Sequence, residues 1–357
     1  MTSSTRCPLR ATLCAILLAA ATTPAFADPD RSEDGRRADG LRGHHASFAL
    51  IGDAPYGVDR EQQFDRVIAD INAQRQVGFV LHTGDIKAGG ERCDDELLQR
   101  RFDQFQQFDM PFIYTPGDNE WTDCHRDSNG NYHPLERLAH LRALFYPAPG
   151  LSTGARPAAV VTQADDPGFE AFVENQMWHF AGTVIGTIHV VGSNNDLAPW
   201  SQIDPDDSVD APRSDRIAEY VARESAALAW IDRIFETAAA SDAAGVLIAM
   251  QANPRFELAA GDPSRAGFDA VLEAIAAHAV AFGRPVVIAH GDSHYFRMDM
   301  PLRAATANDG EQALENVFRF ENFGSQYVHW AEVVVDRRDP NVFSLRPHLI
   351  GENAFAR

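Results

Sequence analysis

Three Gly-Asp pairs, each following a short apolar run, constrain the fold of this chain more than any other feature. The apolar runs lie at 47–51, 79–81 and 112–114, and the pairs that follow them are Gly52-Asp53, Gly84-Asp85 and Gly117-Asp118. Apolar residues at helical spacing lie between the runs, from 59 onward and from 95 to 108. The first third therefore alternates strand and helix, which predicts an α/β fold with a parallel sheet.

The positions of these pairs indicate a shared site. Strands of a parallel sheet lie about 4.8 Å apart, and their carboxyl ends form the crevice where open α/β sheets bind ligands. The three carboxylates are therefore expected in one small volume, where like charges are costly unless cations offset them. The alternative is three unrelated turns, because Gly-Asp is also ordinary turn chemistry.

The rest of the chain predicts further strands and helices within the same domain. Strands are expected at 178–180, 183–191, 246–250 and 286–289, and helices at 135–145, 215–237 and 268–281. Runs at 295–300, 328–335 and 342–350 are interpreted as antiparallel strands that close a second sheet. We expect one domain from 47 to 357, with an insertion at about 121–170 that covers the site.

The later strands also end in residues that commonly bind metals. Gln251 follows the strand at 246–250, with Asn253 as a rival, and Asp292 and His294 follow the strand at 286–289. Together with the three earlier aspartates, they form a set of carboxylate, amide and imidazole groups. Such a set suits hard or borderline divalent metals better than metals that prefer thiolates.

Five segments of this chain carry a family resemblance. They are G-D-A-P-Y at 52–56, G-D-I-K at 84–87, G-D-N-E at 117–120, Q-A-N-P at 251–254 and G-D-S-H at 291–294. In order and spacing they resemble the motifs of the calcineurin-like metallophosphoesterase superfamily, which are D-x-H, G-D-x, G-N-H-[DE], a lone His and G-H-x-H. The resemblance implies a four-layer α/β/β/α sandwich, two divalent metal ions at the strand ends, and hydrolysis of a phosphate mono- or diester.

Departures from the family pattern replace most of its imidazoles. Pro55 and Gln251 stand where the family has histidine ligands, and Asp292 replaces the first His of G-H-x-H. Asp118 replaces an Asn ligand, which leaves His294 as the remaining family imidazole. This oxygen-rich set favours manganese, magnesium or calcium over zinc or iron. It also leaves open a non-catalytic relative that binds a metal or another ligand.

The resemblance also implies roles for individual residues. Asp85 is expected to bridge the two metals, and a hydroxide between the metals is expected to attack phosphorus. The other ligands are Asp53 and His294 for the first metal. They are Asp118, Gln251 and Asp292 for the second metal. Asn119 stands where the family has a His that assists the leaving group. His290 is a candidate proton donor, and Lys87 is a candidate for screening a phosphate oxygen.

Several of these assignments have a structural alternative. His290 is equally interpreted as a buried core histidine. Lys87, the single lysine of the chain, is alternatively a partner for acids such as Glu91. Glu120, Asp123 and Arg126 are interpreted as residues that order the covering segment instead of contacting substrate.

The N-terminus has the pattern of a secretory signal peptide. Arg6 and Arg10 precede an apolar run at 11–21, and Ala25-Phe26-Ala27 forms an A-x-A cleavage site. The apolar run is shorter than the roughly 20 residues of a membrane span. We therefore expect a signal peptide at 1–27, a flexible leader at 28–46, export to the periplasm or the extracellular space, and no stable membrane anchor.

The cysteines indicate an oxidising compartment, and the net charge restricts the kinds of partner that the protein can bind. Cys93 and Cys124 remain after cleavage, and two cysteines in an exported protein usually pair, so a disulfide is expected. The formal net charge of −20 disfavours binding to nucleic-acid polymers. A small phosphorylated substrate is still compatible with this charge, because bound metal ions reverse the local field. The oligomeric state is left open.

Overall fold

The computed structural model describes residues 45–305 and 311–354. The predicted signal peptide, and the leader up to residue 44, lie outside the described residues. The first strand begins at His45, two residues before the predicted start of the domain. Within the described ranges, no helix is both long enough and apolar enough to cross a bilayer.

The first sheet, which has five strands among the described residues, confirms the alternation predicted from the sequence. Its parallel part and the two connecting helices are β1 (His45–Ile51), α1 (Val58–Asn72), β2 (Val77–His82), α2 (Asp95–Phe105) and β3 (Phe112–Tyr114). Two antiparallel strands extend this sheet beside β1, namely β13 (Trp330–Asp336) and β14 (Phe343–His348). The prediction that these two strands close the second sheet is therefore wrong.

The second sheet has seven strands in the part of the chain that is described. In spatial order they are β4 (Val161–Thr162), β5 (Gln176–Phe180), β6 (Thr183–Thr187), β7 (Val246–Ala249), β8 (Val286–His290), β12 (Val317–Glu321) and β9 (Arg297–Asp299). β12 runs parallel to β8 and was not predicted. A separate hairpin pairs β10 (Arg303–Ala305) with β11 (Glu311–Ala313).

Five further α-helices lie in the described ranges. They are α3 (Pro134–Phe145), α4 (Gly192–Asn195), α5 (Ser214–Ala240), α6 (Asp269–Phe282) and α7 (Gly351–Ala354). α3, α5 and α6 confirm the predicted helices to within three residues at either end, and α7 was not predicted. α4, which was not predicted, is a single turn in which Ser193 and Asn194 adopt left-handed backbone. This turn lies directly beside the predicted site.

Three apolar clusters reveal a four-layer arrangement. Phe48 and Leu50 of β1 belong to a cluster between the two sheets, together with residues of β7 and β8. Ala49 and Ile51 point the other way, into a cluster shared with α1, α2 and α3. The third cluster lies between the second sheet and the helices α5 and α6. Because successive strand residues face opposite sides and both sides are covered, β1 is apolar from Phe48 to Ile51. The predicted α/β/β/α sandwich is confirmed.

The segment at 121–170, predicted to cover the site, is partly built into the body. Two 3-10 turns at Thr122–His125 and Asp127–Asn129 precede α3. Leu138, Leu141 and Phe145 of α3 pack into the cluster beside the first sheet. The segment then enters β4 at the edge of the second sheet. Its role as a cover over bound substrate stays a prediction.

Candidate active site

The strand ends of the two sheets meet, and this brings the predicted ligands together. The backbone N–H of Asp292, after β8, donates to Asp53 Oδ1, after β1, at 2.9 Å. The Gln251 carboxamide, after β7, donates to Asp118 Oδ1, after β3, at 3.1 Å. His294 Nε2 lies 3.5 Å from Asp53 Oδ1. Contacts between the sheets therefore join residues that are distant in the chain, as in the pair Asp53 and Asp292, which are 239 positions apart.

Left-handed backbone is concentrated at these residues. The φ angles are 50° at Asp53, 57° at Asp85, 73° at Asp292 and 63° at His294. Non-glycine residues rarely adopt positive φ, and the strain is tolerated where surrounding structure imposes it, most often at functional sites. Apart from the preference of Asp and His for such backbone, no local pattern predicts this feature.

The glycine of each Gly-Asp pair makes room for a carboxylate or carboxamide that belongs to a neighbouring strand end. A Cβ built on Gly117 would lie 2.1 Å from Asp85 Oδ1, and one built on Gly291 would lie 2.2 Å from Asp53 Oδ2. A Cβ on Gly84 would lie 2.9 Å from the Cβ of Gln251. The repeated motif is thus explained by close approach between strands, in addition to the turn itself.

Asp85 lies at the centre of the site and is held by three donors. The Asn119 carboxamide donates to Asp85 Oδ2 at 2.8 Å, and the Asn119 backbone N–H donates to Oδ1 at 3.2 Å. The Tyr56 hydroxyl also lies 3.2 Å from Oδ2. The Asn119 carboxamide nitrogen also donates to the Tyr56 hydroxyl oxygen at 3.1 Å. Asn119, predicted to assist the leaving group, therefore orients Asp85 directly.

Glu120 is a site residue whose importance the sequence did not reveal. Its side chain is fully buried, and Oε1 accepts hydrogen bonds from the backbone N–H of Asp85 at 3.0 Å and of Gly117 at 2.7 Å, and from the Tyr114 hydroxyl at 2.6 Å. Among the described residues, Oε2 has no hydrogen-bond partner. The carboxylate thus joins the loops after β2 and β3.

The acids of the site raise one another's affinity for protons. Burial, followed by the charges of Asp118 and Glu120, raises the pKa of Asp85 well above its ordinary value. Burial and the charges of Asp118 and Asp53 raise the pKa of Asp292 to about 8. Burial and the charge of Asp118 raise the pKa of Asp123 to about 7. A bound cation would reverse these shifts and allow the carboxylates to ionise together.

Lys87 is buried inside this group of acids. Its ammonium donates to the carbonyl oxygen of Ala88 at 3.0 Å, and burial lowers its pKa in spite of the surrounding carboxylates. Glu91, the expected alternative partner, instead accepts hydrogen bonds from the backbone N–H of Gly57 at 3.0 Å and of Ala88 at 2.8 Å. A direct contact between Lys87 and a phosphate oxygen stays a prediction.

His290 is completely buried at the end of β8. Its Nδ1 lies 2.9 Å from the carbonyl oxygen of Gly291, its ring lies 6.0 Å from that of Phe256, and its Nε2 is unpartnered within the described ranges. Burial lowers its pKa. These contacts favour the core alternative, and the proton-donor role stays a prediction.

The donor set matches the chemistry of hard divalent cations, although no ligand group is preformed. Within residues 45–305 and 311–354, no group of three or more His, Cys, Asp and Glu side chains is arranged to hold a metal ion. The carboxylates instead accept hydrogen bonds from backbone and carboxamide donors. Their raised pKa values and the unpartnered Glu120 Oε2 nevertheless favour a cation. Although burial opposes it, the Asp53 carboxylate raises the pKa of His294, so metal binding there requires loss of a proton.

The predicted disulfide is confirmed and lies against the site. Cys93 and Cys124 are bonded, with Cα atoms 5.8 Å apart. The two sulfur atoms lie 3.6 and 3.7 Å from the backbone carbonyl oxygen of Asn119. The bond therefore connects the loops after β2 and β3 at the residue that orients Asp85.

Similarity of this chain to known proteins is confined to solved structures at low sequence identity. No family model and no curated protein matches it. Among solved structures, phosphopantetheinyl hydrolase PptH from Mycobacterium tuberculosis aligns with a TM-score of 0.45 and 12% identity, over 87% of this chain and 98% of that chain. GAP50, the anchor in the inner membrane complex of Plasmodium, aligns with a TM-score of 0.41 and 10% identity, over 86% and 89%. At these values neither protein's function carries over.

Proposed function

We propose that this protein is a metal-dependent hydrolase of phosphate mono- or diesters. The observation that carries the proposal is the gathering of four largely buried aspartates, Asp53, Asp85, Asp118 and Asp292, where the strand ends of two sheets meet. Grouping like charges on partly left-handed backbone opposes folding, so it calls for a functional reason. Cation-dependent chemistry on an anionic substrate supplies one.

Two divalent cations would be held by the predicted ligands. These are Asp53, Asp85 and His294 on one side, and Asp85, Asp118, Gln251 and Asp292 on the other. The cations would stabilise negative charge on the phosphoryl oxygens and lower the pKa of a water from 15.7 to about 7. Because nearly all donors are oxygens, manganese, magnesium or calcium suits the site better than zinc or iron.

The protein's own residues hold the ligands in position. Asn119 fixes both oxygens of Asp85, and Gln251 fixes Asp118 while its own Oε1 accepts the backbone N–H of Gly192 at 2.6 Å. Glu120 fixes the backbone N–H of Asp85. Loss of a hydrogen bond that orients a metal ligand commonly changes metal affinity or activity by about 10- to 100-fold.

We also propose that the protein acts outside the cytoplasm. The buried Cys93–Cys124 disulfide supports this, because disulfides persist mainly in oxidising compartments.

A non-catalytic metal- or ligand-binding protein is the second candidate. It is favoured by the absence of a preformed ligand group among the described residues, and by Asp118, whose oxygens already accept from Gln251 and Ser193. Both candidates are expected to bind a metal ion or another ligand, but only the first is expected to hydrolyse a phosphate ester. A measurement of hydrolysis therefore distinguishes them.

The test measures metal content and hydrolysis of para-nitrophenyl phosphate and of bis-para-nitrophenyl phosphate. Purified protein is reconstituted in turn with manganese, calcium and zinc. Asp85→Asn removes the central charge with little change of shape. Asp232→Asn is the matched control, because Asp232 is exposed on α5 and pairs with His278 far from the site.

About two metals per chain, with hydrolysis lost in Asp85→Asn and kept in Asp232→Asn, is the expected result. Metal binding without hydrolysis of either ester would favour the second candidate. A wild-type protein that binds none of the three metals would refute the metal-dependent function.

A further inference from the structure

We propose that Arg126 anchors the phosphate group of the substrate and selects phosphomonoesters over diesters. This inference rests on the hydrolase function proposed above and deepens it. Sequence alone favoured a role for Arg126 in ordering the covering segment. Its ion pair with Asp123 lies within that segment, as that interpretation requires, and the same pair borders the site.

Arg126 presents a fixed guanidinium at the edge of the carboxylates. Its Nη1 lies 2.6 Å from Asp123 Oδ2, and its side chain is 37% exposed. The other oxygen of Asp123 lies 2.9 Å from the Ser193 hydroxyl, which is also 3.0 Å from Asp118 Oδ2. A buried carboxylate thus holds Nη1 of the guanidinium, while more than a third of the side chain is exposed to solvent. A guanidinium held in this way loses little entropy when it binds an anion.

Gly89 packs against Asn119 and lies near Arg126, which places the guanidinium close to the Asp85 side of the site. A Cβ built on Gly89 would lie 2.8 Å from Asn119 Oδ1 and 3.7 Å from Arg126 Nη1. The same Asn119 carboxamide donates to Asp85 Oδ2. The Asn119 carboxamide therefore lies between the guanidinium and the central aspartate, and the lack of a side chain at Gly89 makes room for that carboxamide.

Lys87 is less suited to this role. It is fully buried, and its ammonium donates to the carbonyl oxygen of Ala88. Of these two cations beside the acids, Arg126 is the one that an incoming anion meets first.

The number of free oxygens gives the preference for monoesters. A phosphomonoester has three non-bridging oxygens, whereas a diester has two. If the two cations of the proposed function each face one of these oxygens, the monoester would keep one oxygen for Arg126 and the diester would keep none. A guanidinium makes a strong charged hydrogen bond to such an oxygen. Monoesters therefore gain a charged hydrogen bond that diesters lack.

Arg255 provides a matched control within the same chain. It is exposed, its backbone N–H donates to Asn253 Oδ1 at 3.0 Å, and the backbone N–H of Asn253 donates to Asp292 Oδ2 at 3.0 Å. Arg255 thus flanks the same acids from the Asp292 side. General attraction of anions would depend on both arginines, whereas a specific anchor depends on Arg126.

The first measurement is calorimetric binding of inorganic phosphate to the metal-loaded full-length protein at constant ionic strength. We expect Arg126→Gln to weaken binding by at least about tenfold, because a charged hydrogen bond is lost. Arg255→Gln is expected to change it by less than about twofold, since exposed charges at a distance are screened. Arg126→Lys, which keeps the charge and loses the fork, is expected to fall between Arg126→Gln and the wild type. Circular dichroism confirms that each variant is folded.

The second measurement compares kcat/KM for para-nitrophenyl phosphate and its bis-ester. Arg126→Gln is expected to reduce the monoester value more than the diester value. Equal weakening of phosphate binding by Arg126→Gln and Arg255→Gln, unchanged binding in Arg126→Gln, or no phosphate binding by the wild type would each overturn the proposal. If the wild type hydrolyses neither ester while Arg126→Gln still loses phosphate binding, the hydrolase function fails and the anchor stands.

Discussion

Asn119 holds both oxygens of Asp85, through its carboxamide at 2.8 Å and its backbone N–H at 3.2 Å. This relationship distinguishes two roles for Asn119, because a residue that orients a ligand and one that assists a leaving group respond differently to the substrate. The side-chain contact alone is lost when Asn119 is truncated, since the backbone donor remains.

Asn119→Ala is expected to weaken metal binding by about 10- to 100-fold, as for other residues that orient a ligand. Calorimetric titration with manganese measures this loss. If Asn119 acts only through Asp85, the loss of kcat/KM will be the same for phosphate esters of good and poor leaving groups. A loss that grows with the pKa of the leaving group would instead indicate contact with the leaving oxygen.

Gly117→Ala is expected to destabilise the protein by about 1–3 kcal/mol, the usual cost of overpacking. The added methyl group would meet Asp85 Oδ1 at 2.1 Å, which forces the central carboxylate to move. Urea denaturation measures the free energy of unfolding. Gly90→Ala is the control, because nothing lies within 4 Å of a Cβ built there. Equal stability of the two variants would show that the strand ends can separate freely.

Replacement of both cysteines, Cys93→Ala with Cys124→Ala, is expected to lower the free energy of unfolding by about 3–4 kcal/mol in the chain-entropy treatment. We also expect weaker metal binding, since both sulfur atoms lie against the Asn119 carbonyl. Reduced wild-type protein serves as the comparison and should match the double variant in both measurements. A double variant with wild-type metal affinity would contradict the link between the disulfide and the site.

Stability is expected to fall at low pH because of Glu174. Burial opposes ionisation, but Arg142, at 2.5 Å, and His189, at 2.7 Å, hold the pKa of Glu174 far below its ordinary value. A carboxyl group whose pKa is depressed by folding contributes stability above its unfolded pKa of about 4.3, and this stability is lost as the pH falls through the folded-state value.

Glu174→Gln is therefore expected to cost roughly 3 kcal/mol at pH 7, as for a broken buried ion pair. The same variant should also lose less stability than the wild type between about pH 4 and pH 2. Urea denaturation across this range measures both effects. Glu236→Gln, on the exposed face of α5, is the control and should follow the wild type throughout. Parallel curves for wild type and Glu174→Gln would contradict the assignment.

The first sheet and the ligand set were predictable because strand and helix periods, together with the residues at strand ends, are local signals. β12 was missed since Arg319 and Glu321 interrupt its apolar pattern. Both are buried, and the neighbouring strand β9 supplies a partner for each, because Asp299 pairs with Arg319 and Arg297 pairs with Glu321. The membership of β13 in the first sheet depends on pairing with β1, nearly 300 residues earlier in the chain, and no local pattern encodes it.

The same limit applies to the site. Tyr56 and Glu120 follow Gly-Asp pairs in the sequence. Their role in the site comes from hydrogen bonds with Asp85, which lies on another loop. The chemical types of the ligands were visible in the sequence, whereas the residues that support them became identifiable only from contacts across loops.

The left-handed backbone at Asp53, Asp85 and Asp292 also limits how this site can change over evolutionary time. Glycine, asparagine and aspartate tolerate such backbone best, whereas branched apolar residues are excluded from it. Homologues that lack the proposed activity should therefore first carry asparagine or glycine at these positions, with the fold intact. A homologue with asparagine at all three positions is expected to keep this backbone shape without the negative charge that the proposed cations require.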